Sequence, residues 1–356
     1  MTTHKLLMIG TGGMARHWIH SVWATFKDRV QIVGLADVNA EPLNAAGDAL
    51  GLPASARFTS MQDAYAKVEA DFCCIVTPPR FHRAAVEGAA ARGMNILSEK
   101  PIADTWEDCC AIAKAVKQAG VKMMVTQNYR YTPRILTLKK AAQTLGPVNY
   151  AFCRYAADYR KPLAWGAAFR HDMAHSLLVE ASVHHFDQLR NLTGSTCQFI
   201  SGREWNPGKT RGYAGSESFK GECCGIYVLH MNSGAMATYE GNNLATGKPN
   251  SWHNEYYRVE CEGGVAVLDS DDVVRIESRS ASGTLNVAEV PREQPTHAGH
   301  HAIGEQMLDW LDGGPAPTTV LSDNLQSNAM LFGAMQASAS NSVVDVQALL
   351  KQAQGA

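Results

Sequence analysis

The sequence predicts an α/β plus α+β chain. An N-terminal doubly wound parallel sheet over residues 1–128 precedes an open, mostly antiparallel sheet with helices over residues 129–356. Three observations predict it. Apolar runs alternate with helical patterns up to about residue 145. Beyond Gly146-Pro147 the pattern becomes β-rich with hairpin-type turns. A glycine loop stands at the first strand–helix junction.

The strands of the first half are expected at 6–10 (LLMIG), 31–38 (QIVGLADV), 72–79 (FCCIVTPP), 94–101 (MNILSEKP) and 122–128 (KMMVTQN). Helical patterns lie between them at 14–26, 40–50, 82–92 and 105–119. Runs apolar on both faces and separated by helices point to a parallel sheet covered on both sides. In the second half β-rich segments are expected at 147–158, 196–204, 222–231, 235–243, 255–268 and 273–279, with turns at Asn232-Ser233-Gly234 and Glu262-Gly263-Gly264. One helix, 176–193, interrupts them, and the tail returns to helices at 301–312 and 323–341, the first ending at Gly313-Gly314-Pro315. The C-terminal helices are free to pack back on the first domain.

Composition narrows the function. At 46% apolar and 19% charged residues the chain is of ordinary globular type. A net charge of -2 supplies no global field toward nucleic acid or an anionic membrane. No apolar stretch approaches the ~20 residues of a membrane span, and the N-terminus lacks the apolar core of a signal peptide. Nine cysteines include three adjacent pairs but no C-x-x-C spacing, which suits small buried hydrophobes in a reducing cytoplasm rather than zinc or disulfides.

Gly10-Thr11-Gly12-Gly13-Met14-Ala15 fits G-x-G-x-x-G/A after a strand and at the opening of a helix. The first glycine permits the tight turn. The second lets backbone approach a pyrophosphate, and the phosphates meet a helix N-terminus. Gly10, Gly12, Gly13 and Met14 are therefore assigned to a dinucleotide, as in a Rossmann domain. Asp37 closes the second strand, where a carboxylate accepts from the adenine ribose and repels a 2′-phosphate. No Lys or Arg follows in Asp37-Val38-Asn39-Ala40, so NAD is preferred to NADP. A helix-capping role for Asp37 is the plain alternative.

On the 176–193 helix each residue advances ~100°, so Glu180, His184 and Asp187 share one stripe while His185 falls ~140° away from Glu180. The twin histidines thus point different ways. Asp187 either fixes the His184 tautomer or pairs with Arg190.

Glu99-Lys100-Pro101, Thr77-Pro78-Pro79 with His82, the glycine loop, Asp37 and the acid-x-x-x-His helix together make the chain resemble the Gfo/Idh/MocA oxidoreductases. That family includes glucose-fructose oxidoreductase and inositol 2-dehydrogenase, and the resemblance covers nearly the whole chain. It implies that Lys100 lies beside the nicotinamide and hydrogen-bonds the reacting hydroxyl, with Glu99 contacting the nicotinamide side or supporting Lys100. Lys100-Pro101 is a candidate cis peptide that would aim Lys100. The resemblance further implies that Thr77, Pro78 and His82 line the cofactor's phosphate and ribose side. Carried onto the acid-x-x-x-His pattern, His184 is the acid/base and Glu180 binds substrate or orients it. This chain departs from the family in carrying Glu where Asp is usual, and Ser176-Leu177-Leu178 where many members have glycines.

Asn128 and Arg130, after the 122–128 strand, are hydrogen-bond donors suited to a polyol, and Asn128 also sits at the cofactor edge. Arg170 resembles a position that contacts substrate or cofactor in relatives, and His185 is a lesser substrate candidate. Tyr155, Tyr159 and Trp165 offer a sugar-stacking face or simple packing, and Trp252 with His253 a rim. His297, His300 and His301 lack accompanying acidic or cysteine ligands, so no metal is assigned. The expectation is an NAD-dependent dehydrogenase of a sugar, sugar derivative or cyclitol, with Lys100, His184 and Glu180 catalytic. It is expected to be cytoplasmic and, because an open sheet face seeks cover, a homo-oligomer, dimer or tetramer. An NAD-retaining glycosidase-like redox lyase and a non-catalytic nucleotide-binding regulator are the alternatives.

Overall fold

The computed structural model describes residues 2–161, 164–166 and 168–355. The chain forms two compact units. The first comprises 1–131, 297–325 and 351–356, and the second 132–296 and 326–350.

The first unit is built on six strands: β1 (His4–Ile9), β2 (Val30–Ala36), β3 (Arg57–Phe58), β4 (Phe72–Ile75), β5 (Asn95–Ser98) and β6 (Met123–Val125). All pair in parallel, in the order β3-β2-β1-β4-β5-β6. This is the doubly wound arrangement expected, and the order reverses between β1 and β4, where such sheets bind ligands beyond the strand C-termini. The strands are apolar on both faces: Leu6, Met8, Phe72, Cys74, Leu97 and Met124 are buried on one, and Leu7, Ile9, Cys73, Ile75, Ile96 and Met123 on the other. Helix Gly299–Leu311 belongs to this unit and adds Ile303, Met307 and Leu308 to the core around Trp18 and Trp23. The short β3 is not among the expected strands; two residues carry too little alternation to be read.

The second unit holds a nine-stranded sheet: β7 (Val148–Ala156), β8 (Cys197–Trp205), β9 (Cys224–Met231), β10 (Met236–Asn242), β11 (Tyr256–Cys261), β12 (Gly264–Leu268), β13 (Val274–Arg279), β14 (Leu285–Glu289) and β15 (Val344–Asp345). The order is β14-β13-β12-β11-β7-β10-β9-β8-β15, antiparallel except where β7 and β10 lie parallel. The 255–268 segment folds as the β11–β12 hairpin about Glu262-Gly263, as its turn residues suggest. Edge strand β14 is not expected from sequence because all five of its residues are exposed and show no alternation. One sheet face is closed by Ala151, Cys153, Tyr227, Tyr239, Tyr257 and Val259 against Phe186 and Leu189 of helix Val183–Thr193. The other face carries Phe152, Arg154, Ile226, Glu240 and Arg258, all at least partly exposed.

Two expected α-helices are interrupted by π-turns. The first helix runs α over Gly13–His17, π over Trp18–Val22 and α over Trp23–Thr25. The 176–193 helix is π over Leu177–Ser182 and α over Val183–Thr193. In a π-turn the bond runs i→i+5, so each residue advances less than in an α-helix.

Candidate functional site

At the switch point of the parallel sheet, Gly10 adopts φ +96°, and a Cβ there would lie 2.2 Å from the carbonyl oxygen of Val76. Only glycine fits this close crossing of the β1 and β4 ends. A Cβ on Gly12 or Gly13 would meet nothing within 4 Å, so the helix N-terminus opens onto free space of the kind a pyrophosphate requires. Met14 beside them is exposed. Asp37 Oδ2 accepts from the Thr11 amide (2.8 Å) and hydroxyl (3.1 Å), and Oδ1 from the Asn39 amide (2.9 Å). The acid therefore shapes the glycine loop and keeps acceptor capacity for a ribose hydroxyl. These residues fit a dinucleotide.

Lys100 follows β5, and its bond to Pro101 is cis. Its backbone amide donates to Thr126 Oγ1 (3.2 Å) and Glu99 Oε2 (3.3 Å). Glu99 is anchored by Trp18 Nε1 (2.8 Å) and Thr126 Oγ1 (2.6 Å), and His300 Nε2 stands 3.8 Å from Oε1. Of the two readings of Glu99, the geometry matches support of the Lys100 backbone. Sequence reasoning does not find Trp18, Thr126 and His300 in this bracing role, because no local motif marks residues that meet only through tertiary packing.

Two first-unit expectations require correction. His82 is wholly buried; its Nδ1 lies 2.9 Å from the Pro101 carbonyl and its Nε2 2.8 Å from that of Thr77. Burial holds the ring below its ordinary pKa, against the opposing pull of those carbonyls. The neutral imidazole donates to one of these carbonyls and packs between the Thr77-Pro78 and Lys100-Pro101 loops rather than lining a cofactor surface. Arg130 is also buried, donating to the Thr318 carbonyl and to Asp323, each at 2.8 Å. Its guanidinium ties the Asn128–Tyr131 turn to the 318–323 segment, so it is a structural brace and not a polyol donor. Asn128 on the same turn is buried. Thr77 Oγ1 is buried without a hydrogen-bond partner, while Pro78 is partly exposed.

In the second unit the π-turn carries Glu180 and the following α-turn His184, both buried. Arg170 Nε donates to Glu180 Oε2 at 3.0 Å, and Arg170 Nη1 to the Trp165 carbonyl at 2.9 Å. The Trp252 ring meets His184 edge-on (6.2 Å, 90°) and lies 5.3 Å from Tyr155. Tyr159 stacks on Trp165 at 5.1 Å and 7°. Asp187 accepts from Ser327 Oγ at 2.6 Å and lies 3.7 Å from Arg190.

His185 is the third correction. Its ring is fully buried between Tyr155 (4.9 Å) and Tyr239 (5.4 Å), with Nδ1 3.1 Å from the Tyr239 hydroxyl and Nε2 3.8 Å from Glu255. The ~100° step from His184 to His185 within the α-turn sends it into the sheet core, not to a substrate. Among the described residues no group of three or more His, Cys, Asp and Glu is placed to hold a metal.

Comparison with known proteins bears on these features. The family described as "Oxidoreductase family, NAD-binding Rossmann fold" (GFO_IDH_MocA) matches residues 4–127. The uncharacterized protein y4oX of Sinorhizobium fredii is 37% identical over 98% of this chain and 97% of its own length. The D-apiose dehydrogenase of Paraburkholderia graminis is 25% identical over 98% of this chain and 91% of its length. The solved structure of an oxidoreductase from Agrobacterium radiobacter with NAD+, L-tartaric acid and magnesium superposes with TM-score 0.81 at 20% identity. It covers 98% of this chain and 100% of that one, and so establishes the fold.

Proposed function

The chain belongs to the Gfo/Idh/MocA oxidoreductase family, and on that premise we propose that it is an NAD-dependent dehydrogenase of a sugar, sugar derivative or cyclitol. The observation that carries the reading is Glu99-Lys100-Pro101 at the end of β5, braced by Trp18 and Thr126. A D-apiose dehydrogenase among the relatives supports a carbohydrate substrate.

When bound, NAD supplies the hydride acceptor. The residues that would hold it are Gly10, Gly12, Gly13 and Met14 at the phosphates, Asp37 at the adenine ribose, and Thr77, Pro78 and Asn128 along the loops. Oxidation of an alcohol removes a hydride from carbon and a proton from oxygen. In the first unit Lys100 is the proposed hydrogen-bond partner of the reacting hydroxyl; in the second, His184 is the proposed acid/base and Glu180 with Arg170 the proposed ligands of sugar hydroxyls. His184 next to Trp252 sits in an environment with little water, which favours directed proton transfer.

The partly exposed face of the nine-stranded sheet, with Ile226 53% exposed among charged and aromatic neighbours, supports a homo-oligomer, dimer or tetramer, readable by light scattering. A reducing, cytoplasmic location is part of the proposal, because nine cysteines without C-x-x-C spacing suit small buried thiols. Among the described residues no helix is long and apolar enough to cross a membrane.

The test is NADH formation, at 340 nm, over pentoses, hexoses, anhydrosugars and inositols with NAD and NADP. Net NADH separates this reading from a redox lyase, which returns its hydride. Lys100→Met should lower turnover by orders of magnitude with NAD affinity retained; unchanged turnover removes Lys100 from its role.

A further inference from the structure

Arg170 lies on the short helix Phe169–Asp172, and its side chain is 35% exposed while that of its partner Glu180 is 7% exposed. A solvent-reaching cation is therefore seated on a buried anion. The same guanidinium donates to the Trp165 carbonyl, which fixes the indole stacked on Tyr159. Flanking cations are matched as well: Arg160 with Asp158 at 2.6 Å and Lys220 with Asp172 at 2.8 Å.

This pairing has a chemical consequence for what can bind there. An unpaired arginine fork is the usual receptor for a carboxylate. Here Nε is engaged by Glu180 and Nη1 by the Trp165 carbonyl, so a ligand carboxylate approaching Arg170 meets the charge of Glu180 at close range. Like-charge juxtaposition of this kind rejects a ligand rather than recognising another. A hydroxyl meets no such repulsion, because it accepts from the guanidinium and donates to the carboxylate without separating them. Tyr159, partly exposed and stacked on the buried Trp165, offers an aromatic surface suited to the C–H face of a sugar ring.

We propose that the Arg170–Glu180 pair is a specificity element that admits uncharged polyhydroxy rings and rejects sugar acids. The proposal rests on the dehydrogenase reading for the identity of the site. It goes beyond that reading in assigning the charge of the substrate.

The experiment uses the NAD-loaded protein and matched probes: D-glucose with D-glucuronate and D-galactose with D-galacturonate, their binding followed by calorimetry. The wild type is expected to prefer the hexose of each pair. Glu180→Gln, close in shape but uncharged, should raise uronate affinity about tenfold or more by removing the negative charge beside Arg170. Arg170→Gln should show no such gain, and the double variant E180Q/R170Q should lose it. Glu180→Ser carries the same expectation if the amide disturbs packing, with thermal unfolding confirming that each variant folds. Wild-type protein that binds uronates as tightly as hexoses overturns the proposal. So does an E180Q protein without gain, or a gain that persists in the double variant. Binding is read because Glu180 belongs to the proposed catalytic group. NADH formation by the wild type on neutral sugars tests the dehydrogenase reading separately, so the two can fail independently.

Discussion

Replacing Thr126 by valine removes one oxygen from the brace behind Lys100. The Thr126 hydroxyl donates to Glu99 Oε2 at 2.6 Å and accepts from the Lys100 amide at 3.2 Å, in a side chain that is almost wholly buried. Valine preserves the shape, so no cavity opens. The loss is a hydrogen bond to a carboxylate, together with one of the two contacts that hold the Lys100 amide, the other being to Glu99 at 3.3 Å. A hydrogen bond to a charged group is worth about 1.5–3 kcal/mol, and we take about 2 kcal/mol as the expected destabilisation. For a domain of this size each kcal/mol lowers Tm by about 2–4 °C, so a fall of about 4–8 °C is expected by scanning fluorimetry. Freed from Thr126, the Lys100 backbone shifts, and a displacement near 1 Å in a positioning group lowers turnover about a hundredfold. NAD affinity should change little, because the glycine loop is untouched. Thr126→Ser, which keeps the hydroxyl, should behave like wild type. A T126V protein with wild-type Tm and NADH formation within twofold of normal would show that the brace does not position Lys100.

Gly10→Ala and Gly12→Ala should separate folding from cofactor binding. The first forces a methyl into the Val76 carbonyl and is expected to impair folding, whereas the second meets open space and should leave Tm unchanged while NAD titration shows a large loss of affinity. Phe186→Ala empties a fully buried site edge-on to Tyr227 and Tyr239 and should cost about 3–5 kcal/mol in urea unfolding, with no direct effect on NAD binding. Glu255 is buried, which by itself raises a carboxyl pKa, but His185 and Arg134 outweigh burial and hold it below its ordinary value. Its contribution is therefore complete above the unfolded pKa of about 4.3 and vanishes as pH falls through the lower folded value. Glu255→Gln should be less stable than wild type at pH 7, with the gap closing below about pH 4; an unchanged gap down the acid limb of the denaturation profile would refute the assignment.

Much of this is legible in sequence, and the remainder is hidden for identifiable reasons. The glycine loop, Asp37 and the parallel strands can be read because backbone chemistry fixes them locally. The divergence of His184 and His185 is also legible, since it follows from helical phase alone. Arg130 and His82 are misread from sequence because it shows which donors a residue owns but not which acceptors occupy it first. Asp323 and Thr318 lie nearly two hundred residues beyond Arg130, and nothing near that arginine announces them. The Arg170–Glu180 pair is hidden for a related reason: each residue suits a substrate ligand, and a spacing of ten along the chain does not mark them as counter-ions.

The π-turn at Leu177–Ser182 can be regarded as a helix that has swallowed one residue more than α geometry allows. It behaves as a phase shifter, setting the azimuth of everything on its N-terminal side against the α-turns that bear His184. Excising a single residue, for example Ala181, would let the segment anneal into regular α-helix and leave Glu180 three residues before His184, about 60° from it around the axis. A length change of one residue at this point is thus equivalent to a rotation of the acid, and homologous sequences aligned across it should be expected to differ by single-residue gaps wherever their acids face elsewhere.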